Sequence, residues 1–142
     1  MKTLTTFSIF SDNSISDAVA WAKHQFYLGS SNNGKDTIRD QLNLVWKTTG
    51  VKPAELYCEY ELDELFYDAW QFFLKLHSKR SSNGFGVNPL SYTEIKAFFD
   101  LHQIYPAQYE LELIEQFDNV AMEIYAKNQE KQIKQQELKR KK

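Results

Sequence analysis

The sequence predicts an all-α protein: a compact single domain of about five helices followed by a polar, basic tail. Three observations carry that prediction. Apolar residues recur at spacings of three and four through several segments, as helices that bury one face require. Residues that start and stop helices bracket those segments. With 42% hydrophobic and 15% aromatic residues, 142 positions hold enough apolar surface for a core. The helical domain is expected over residues 1–126 and the tail over 127–142. Within the domain, residues 1–34 form an N-terminal element whose packing the sequence does not specify.

Residues 1–10 read equally as a short strand or a loose arm. In "SISDAVAWAKHQFYL", Ile15, Ala18, Val19, Ala22 and Phe26 share one helical stripe, and Ser14 with Asp17 resembles an N-terminal cap. "GSSNNG", residues 29–34, breaks that helix. A second helix aligns Ile38, Leu42, Val45 and Trp46, with Gly50 placed as its stop. "VKPAELYCEYE" has no sustained period, and Pro53 disfavours a helical Lys52, so it reads as a connection. The clearest stripe follows: Leu62, Leu65, Phe66, Ala69, Trp70, Phe73 and Leu76, with Tyr67 and Phe72 off it.

"NGFGVNPLSYTEIKAFF", residues 83–99, looks at first like a ligand loop. Ser91 and Glu94 instead form a capping box, with Leu90 and Ile95 as its hydrophobic staple. Gly84 and Gly86 permit a reversal and Pro89 stiffens the approach, so every residue has a structural role in starting a helix. That helix runs to about His102. Pro106 suits the first turn of a last helix carrying Leu113, Ile114, Phe117, Ala121, Ile124 and Tyr125. Beyond Lys127 the period fades, leaving either a solvated helical rod or a disordered tail.

The chemistry of the chain excludes several classes. No apolar run approaches the roughly 18 residues of a membrane span, and "MKTLTTFSIFSDNS" lacks the pattern of a signal peptide. Cys58 is the one cysteine, so no disulfide framework or cysteine-based zinc site is predicted, and a small half-buried role suits it. His24, His77 and His102 lack helical ligand spacing. "NGFGVNPL" has neither the lysine nor the preceding strand of a phosphate loop. No catalytic, cofactor or metal residue is therefore assigned.

Charge is unevenly distributed. Residues 127–142 carry seven Lys and Arg against two Glu, while residues 1–126 carry ten against seventeen Asp and Glu. The basic tail could contact phosphate without reading sequence. About ten residues separate the two best-defined helices, too many for a helix-turn-helix, so no specific nucleic-acid partner is expected. The acidic cluster Glu55, Glu59, Glu61, Asp63, Glu64 and Asp68 suits an exposed helix start, with a docking patch for a basic partner as the alternative. Twenty-one aromatics are many for this length, and Tyr67, Phe72, Phe85, Tyr92 and Tyr109 are the candidate partner contacts.

The segments "IRDQLNLVWKTTGVKPAEL", "YDAWQFFLKLHSKRSSNGFG" and "NPLSYTEIKAFFDLHQIYPAQYELELIEQFDNVAMEIYA" together resemble the α-helical tail assembly chaperones of long-tailed bacteriophages and prophages. The matching positions are Gly50, Pro53, Trp70, Arg80, Gly84, Pro89, Ser91, Tyr92, Glu94, Ile95 and Asp118, and the resemblance spans residues 38–126. Residues 1–34 and the Lys- and Gln-rich tail have no counterpart in it. The resemblance implies a non-enzymatic chaperone with no cofactor. It would bind the tape measure protein in the host cytoplasm, help recruit tail tube subunits, and be absent from the finished virion. The alternative is a small phage nucleic-acid-associated or regulatory protein working through residues 127–142. An enzyme built on the acids of residues 59–68 ranks third.

Overall fold

The ends of a helix decide where it can form, because its terminal backbone groups need partners beyond the helix itself. In the computed structural model, which describes residues 12–31, 34–84 and 86–141, those ends define five α-helices. They are α1 (Asp12–Gly29), α2 (Ile38–Thr49), α3 (Tyr67–Ser78), α4 (Tyr92–Leu101) and α5 (Gln108–Arg140). Short 3-10 turns occupy Ala54–Leu56 and Glu64–Phe66. Among the described residues there is no strand, only one isolated bridge between Ser82 and Val87. The fold is all-α, as the sequence predicts. The expectation for residues 1–10 lies outside the described residues. The chain divides into two compact units, Met1–Glu64 and Leu65–Lys142.

In the first unit, α1 buries Ala18, Ala22 and Leu28. It already runs at Asp12, so Ser14 lies inside the first turn instead of capping it. Residues 12–14 are Asp-Asn-Ser, all helix-starting types, and the sequence marks the region better than the position. The start of α2 is a full capping box. Thr37 Oγ1 accepts from the Asp40 N–H at 3.1 Å, and the Asp40 carboxylate accepts from the Thr37 N–H at 3.4 Å. Its end is the predicted one: Gly50 takes φ 75° and donates its N–H to the Trp46 carbonyl.

The second unit is built on α3 against α5. Phe66, Ala69, Phe73 and Leu76 bury beside Leu113, Ile114, Phe117, Val120 and Ala121, with Ile95 and Phe99 of α4 also buried. Trp70 meets Phe117 edge-on at 5.0 Å between ring centroids, and Phe73 lies 5.8 Å from Phe117. The predicted stripe began at Leu62. The α-helix starts only at Tyr67, Leu62 being buried ahead of it and Leu65 half exposed.

The capping box of α4 forms as read: Ser91 Oγ accepts from the Glu94 N–H, and Glu94 Oε2 from the Ser91 N–H. Pro106, expected in the first turn of α5, precedes the helix, whose cap position is Ala107 with its N–H donated to Glu110 Oε1. Glu110 thus satisfies the Ala107 amide, while no Ala107 side-chain hydrogen bond caps the first helical amides. Helix α5 continues to Arg140, with every residue from 125 to 140 exposed.

One buried ion pair joins these parts. Arg80, just past α3, donates to Asp118 Oδ1 of α5 at 2.5 Å, their side chains 3% and 9% exposed. Arg80 Nη1 also donates to the Asn88 carbonyl at 2.8 Å, and the Leu90 N–H donates to Asp118 Oδ2 at 3.0 Å. Both ions thus hold the backbone of the loop that leads into α4. The loop closes as a small hairpin: Asn88 N–H donates to Ser81 O, Asn83 N–H to Gly86 O, and Gly84 turns at φ 85°. His77 Nδ1 accepts from Arg80 Nε and Nη2 at 3.1 and 2.9 Å, while its ring stacks on Phe73. Burial foremost, then the Arg80 charge, holds the His77 pKa below 6.5, against an opposing pull from Asp118.

Asp118→Ala leaves a buried guanidinium unpaired and orphans the Leu90 N–H, so it is expected to cost about 3–5 kcal/mol in urea denaturation. The unfolded chain protonates His77 near its ordinary 6.5, a proton that the folded chain resists. Stability is therefore expected to fall as pH drops below about 6.5. Comparing urea midpoints across that range, His77→Gln should show a shallower decline than the parent.

Candidate partner-binding surface

Exposed rings are the main candidates for partner contact, because a soluble fold buries aromatics unless something else covers them. Tyr67 opens α3 and is 51% exposed. Tyr92 opens α4 at 77%, its hydroxyl donating to Glu115 Oε1 on α5. That bond, then the Glu115 charge, raises the Tyr92 pKa. Tyr109 is half-buried at the start of α5 with its ring 6.1 Å from Phe66, its pKa raised by burial, then by Glu110 and Asp68. Phe72 is also half-buried, meeting Phe98 and Phe99 edge-on at 6.1 and 5.2 Å, so it joins α3 to α4. Phe85 lies outside the described residues. Of the motif residues, Gly84 makes the hairpin turn, Ser91 and Glu94 cap α4, and exposed Pro89 sits between the two loop residues held by Arg80 and Asp118.

The structure adds positions that the sequence reading took for core or connection. Helix α2 buries none of its residues: Ile38 and Leu42 are half-buried, and the stripe then opens at Val45 and Trp46. Past Gly50, Val51 is 69% exposed and Tyr57 62%. Lys52 Nζ lies 4.2 Å from the Tyr57 ring centroid and 5.2 Å from that of Trp46. Hydrogen bonds near and far in sequence position this group. Thr49 Oγ1 is donated to the Val45 carbonyl, the Gly50 cap reverses the chain, and His24 Nε2 meets the Glu55 carbonyl at 2.8 Å within the 3-10 turn. A lysine between two aromatics in a connection without period was the sequence signal available.

A second open patch follows α4. Leu101 and Tyr105 are 82% and 100% exposed, flanking a turn in which Gln103 takes φ 55°. Glu55, Glu59, Glu61, Asp63, Glu64 and Asp68 are all exposed. Among the described residues no three His, Cys, Asp or Glu side chains converge as a metal site would need, and no helix is long and apolar enough to cross a membrane. What the arrangement offers is rings and aliphatic side chains for contact.

Comparison with known proteins fits that chemistry. The family model described as phage tail assembly chaperone matches residues 45–123, more than half of the chain. The match opens at Val45, in the exposed stripe of α2, and closes just after the buried stretch of α5. No curated protein and no solved structure matches the chain.

Gly50→Ala tests how the first surface is positioned. Nothing lies within 4 Å of an added Cβ, so the cost is conformational alone. An L-residue at φ 75° is expected to lose about 1 kcal/mol in urea denaturation.

Proposed function

The chain belongs to the phage tail assembly chaperone family, and from that premise we propose that it binds the tape measure protein in the host cytoplasm. There it keeps that protein's apolar helical segments soluble, helps bring tail tube subunits to it, and leaves before the virion is complete. The family is one of chaperones, not enzymes.

The observation that carries the reading is where the exposed rings fall. Of the exposed rings, Trp46, Tyr57, Tyr60, Tyr67, Tyr92 and Tyr105 lie inside the family-matched segment, and Tyr27 and Tyr125 lie outside it. Beyond it, the exposed part of α5 from residue 125 offers only Tyr125, Ile133 and Leu138 as large apolar side chains. Amphipathic helices dock on apolar grooves and faces through anchors at helical spacing, and a tape measure segment awaiting assembly is a client of that kind. The exposed rings supply contact area at low entropic cost, with Tyr67 and Tyr92 as contacts on the second unit.

Co-expression with the tape measure protein of the same phage tests this. The tape measure protein is expected in the soluble fraction, co-purifying with the chain after nuclease treatment. The same result is expected when Lys131, Lys134 and Lys139 are replaced by Gln. A tape measure protein that stays insoluble, together with nucleic acid bound in a way that the lysine replacements abolish, would overturn the reading in favour of a nucleic-acid role for the tail.

A further inference from the structure

We propose that the Trp46–Lys52–Tyr57 surface is the docking site for a client helix that carries a carboxylate inside its apolar stripe. The inference rests on the chaperone reading above and names the face and the chemistry of recognition. Two rings share one ammonium, with Nζ 4.2 Å from the Tyr57 centroid and 5.2 Å from Trp46. Trp46 is 42% exposed, and Val51 and Tyr57 more so. The group is therefore an open apolar face with a cation at its centre. Among the described residues no carboxylate pairs with Lys52.

The charge pattern selects the occupant. A wholly apolar partner would leave the Lys52 charge without a counterion as water is excluded, which is costly. A polyanion such as nucleic acid needs several cations, and here Lys52, with Lys47 the other lysine of residues 45–57, is followed by exposed Glu55, Glu59 and Glu61. An amphipathic helix with one Asp or Glu among its apolar anchors meets both conditions: the rings take the anchors and Lys52 takes the carboxylate. The face is also held in place before binding. The Gly50 cap, Pro53 and the 3-10 turn tied to His24 set the rings on either side of the lysine, so little ordering remains to oppose association.

The experiment is calorimetric titration of the full chain with synthetic peptides that cover the amphipathic helices of the same phage's tape measure protein. Each peptide is made in two forms, one native and one with its stripe Asp or Glu replaced by the amide. Lys52→Met is expected to weaken the native peptide about tenfold and to leave the amide form unchanged, because only the first has a charge partner to lose. Trp46→Ala and Tyr57→Ala are expected to weaken both forms about tenfold or more.

Parent-like binding in all three variants would place the client elsewhere and overturn the proposal while the chaperone reading stands. No binding of any peptide by the parent chain would sink both. Self-association of the parent in sedimentation, lost in Trp46→Ala, would assign the face to a second copy and also overturn the proposal. Should Trp46→Ala or Tyr57→Ala unfold, Lys52→Met against the paired peptides still decides, since it removes a charge from a half-exposed stem.

Discussion

The buried pair of Arg80 and Asp118 is the constraint on which the second unit depends. Two ions this far from solvent are costly to bury, and their mutual attraction alone rarely offsets that cost. Here each ion also satisfies a backbone group of the loop ahead of α4: Arg80 the Asn88 carbonyl and Asp118 the Leu90 amide. The pair therefore does what two leucines of similar volume could not. It places Ser91 where its capping box with Glu94 can start α4, and through that start it sets Tyr92 at the surface beside Glu115. His77 completes the arrangement by offering a neutral nitrogen to the guanidinium, which ties the protonation of one imidazole to the order of the whole loop.

The first unit is organised by other means. None of the three salt bridges in the described chain lies in it, and α2 buries nothing. Its described hydrogen bonds include local ones at chain ends and turns, the Thr37–Asp40 box, the Gly50 cap and the Thr49 back-bond, and one longer-range contact, from His24 to the Glu55 carbonyl. Such bonds fix direction at modest energy, beside the small set of side chains that this unit buries, Ala18, Ala22, Leu28 and Leu62. The second unit thus holds its loop through a buried ion pair, and the first leaves the rings of Trp46 and Tyr57 exposed.

What could be read from the sequence follows the range of each interaction. The Ser91–Glu94 box and the Gly50 stop act within a few residues, and both were legible in full. Arg80 and Asp118 are 38 residues apart. No local pattern joins them, and they entered the reading only through a family resemblance. Periodicity is incomplete in a specific way at α2, where Ile38, Leu42, Val45 and Trp46 share a face that is half-buried at Ile38 and Leu42 and open at Val45 and Trp46. A 3.6-residue period reports amphipathicity and is silent about what lies opposite. Phe72 shows the reverse: off the predicted stripe, it is drawn in between α3 and α4 by Phe98 and Phe99.

Helix α5 shows how far order can extend from a packed half to an unpacked one. Its first half buries Leu113, Ile114, Phe117, Val120 and Ala121, and from residue 125 it runs exposed to Arg140. Starting a helix is the costly step, and the packed half has already taken it, so each Gln, Lys or Glu beyond needs only propagate. Lys139 and Arg140 in the last turn favour the negative pole of the helix. One side chain reaches back: Gln129 lies so close to Gly86 that a Cβ there would meet its amide nitrogen at 2.6 Å. The loop held by Arg80 and Asp118 therefore touches the base of the rod as well. The basic extension is then a continuation of the helix that the core has started, and the loop meets that helix at two points, Asp118 in its packed half and Gln129 in its exposed half.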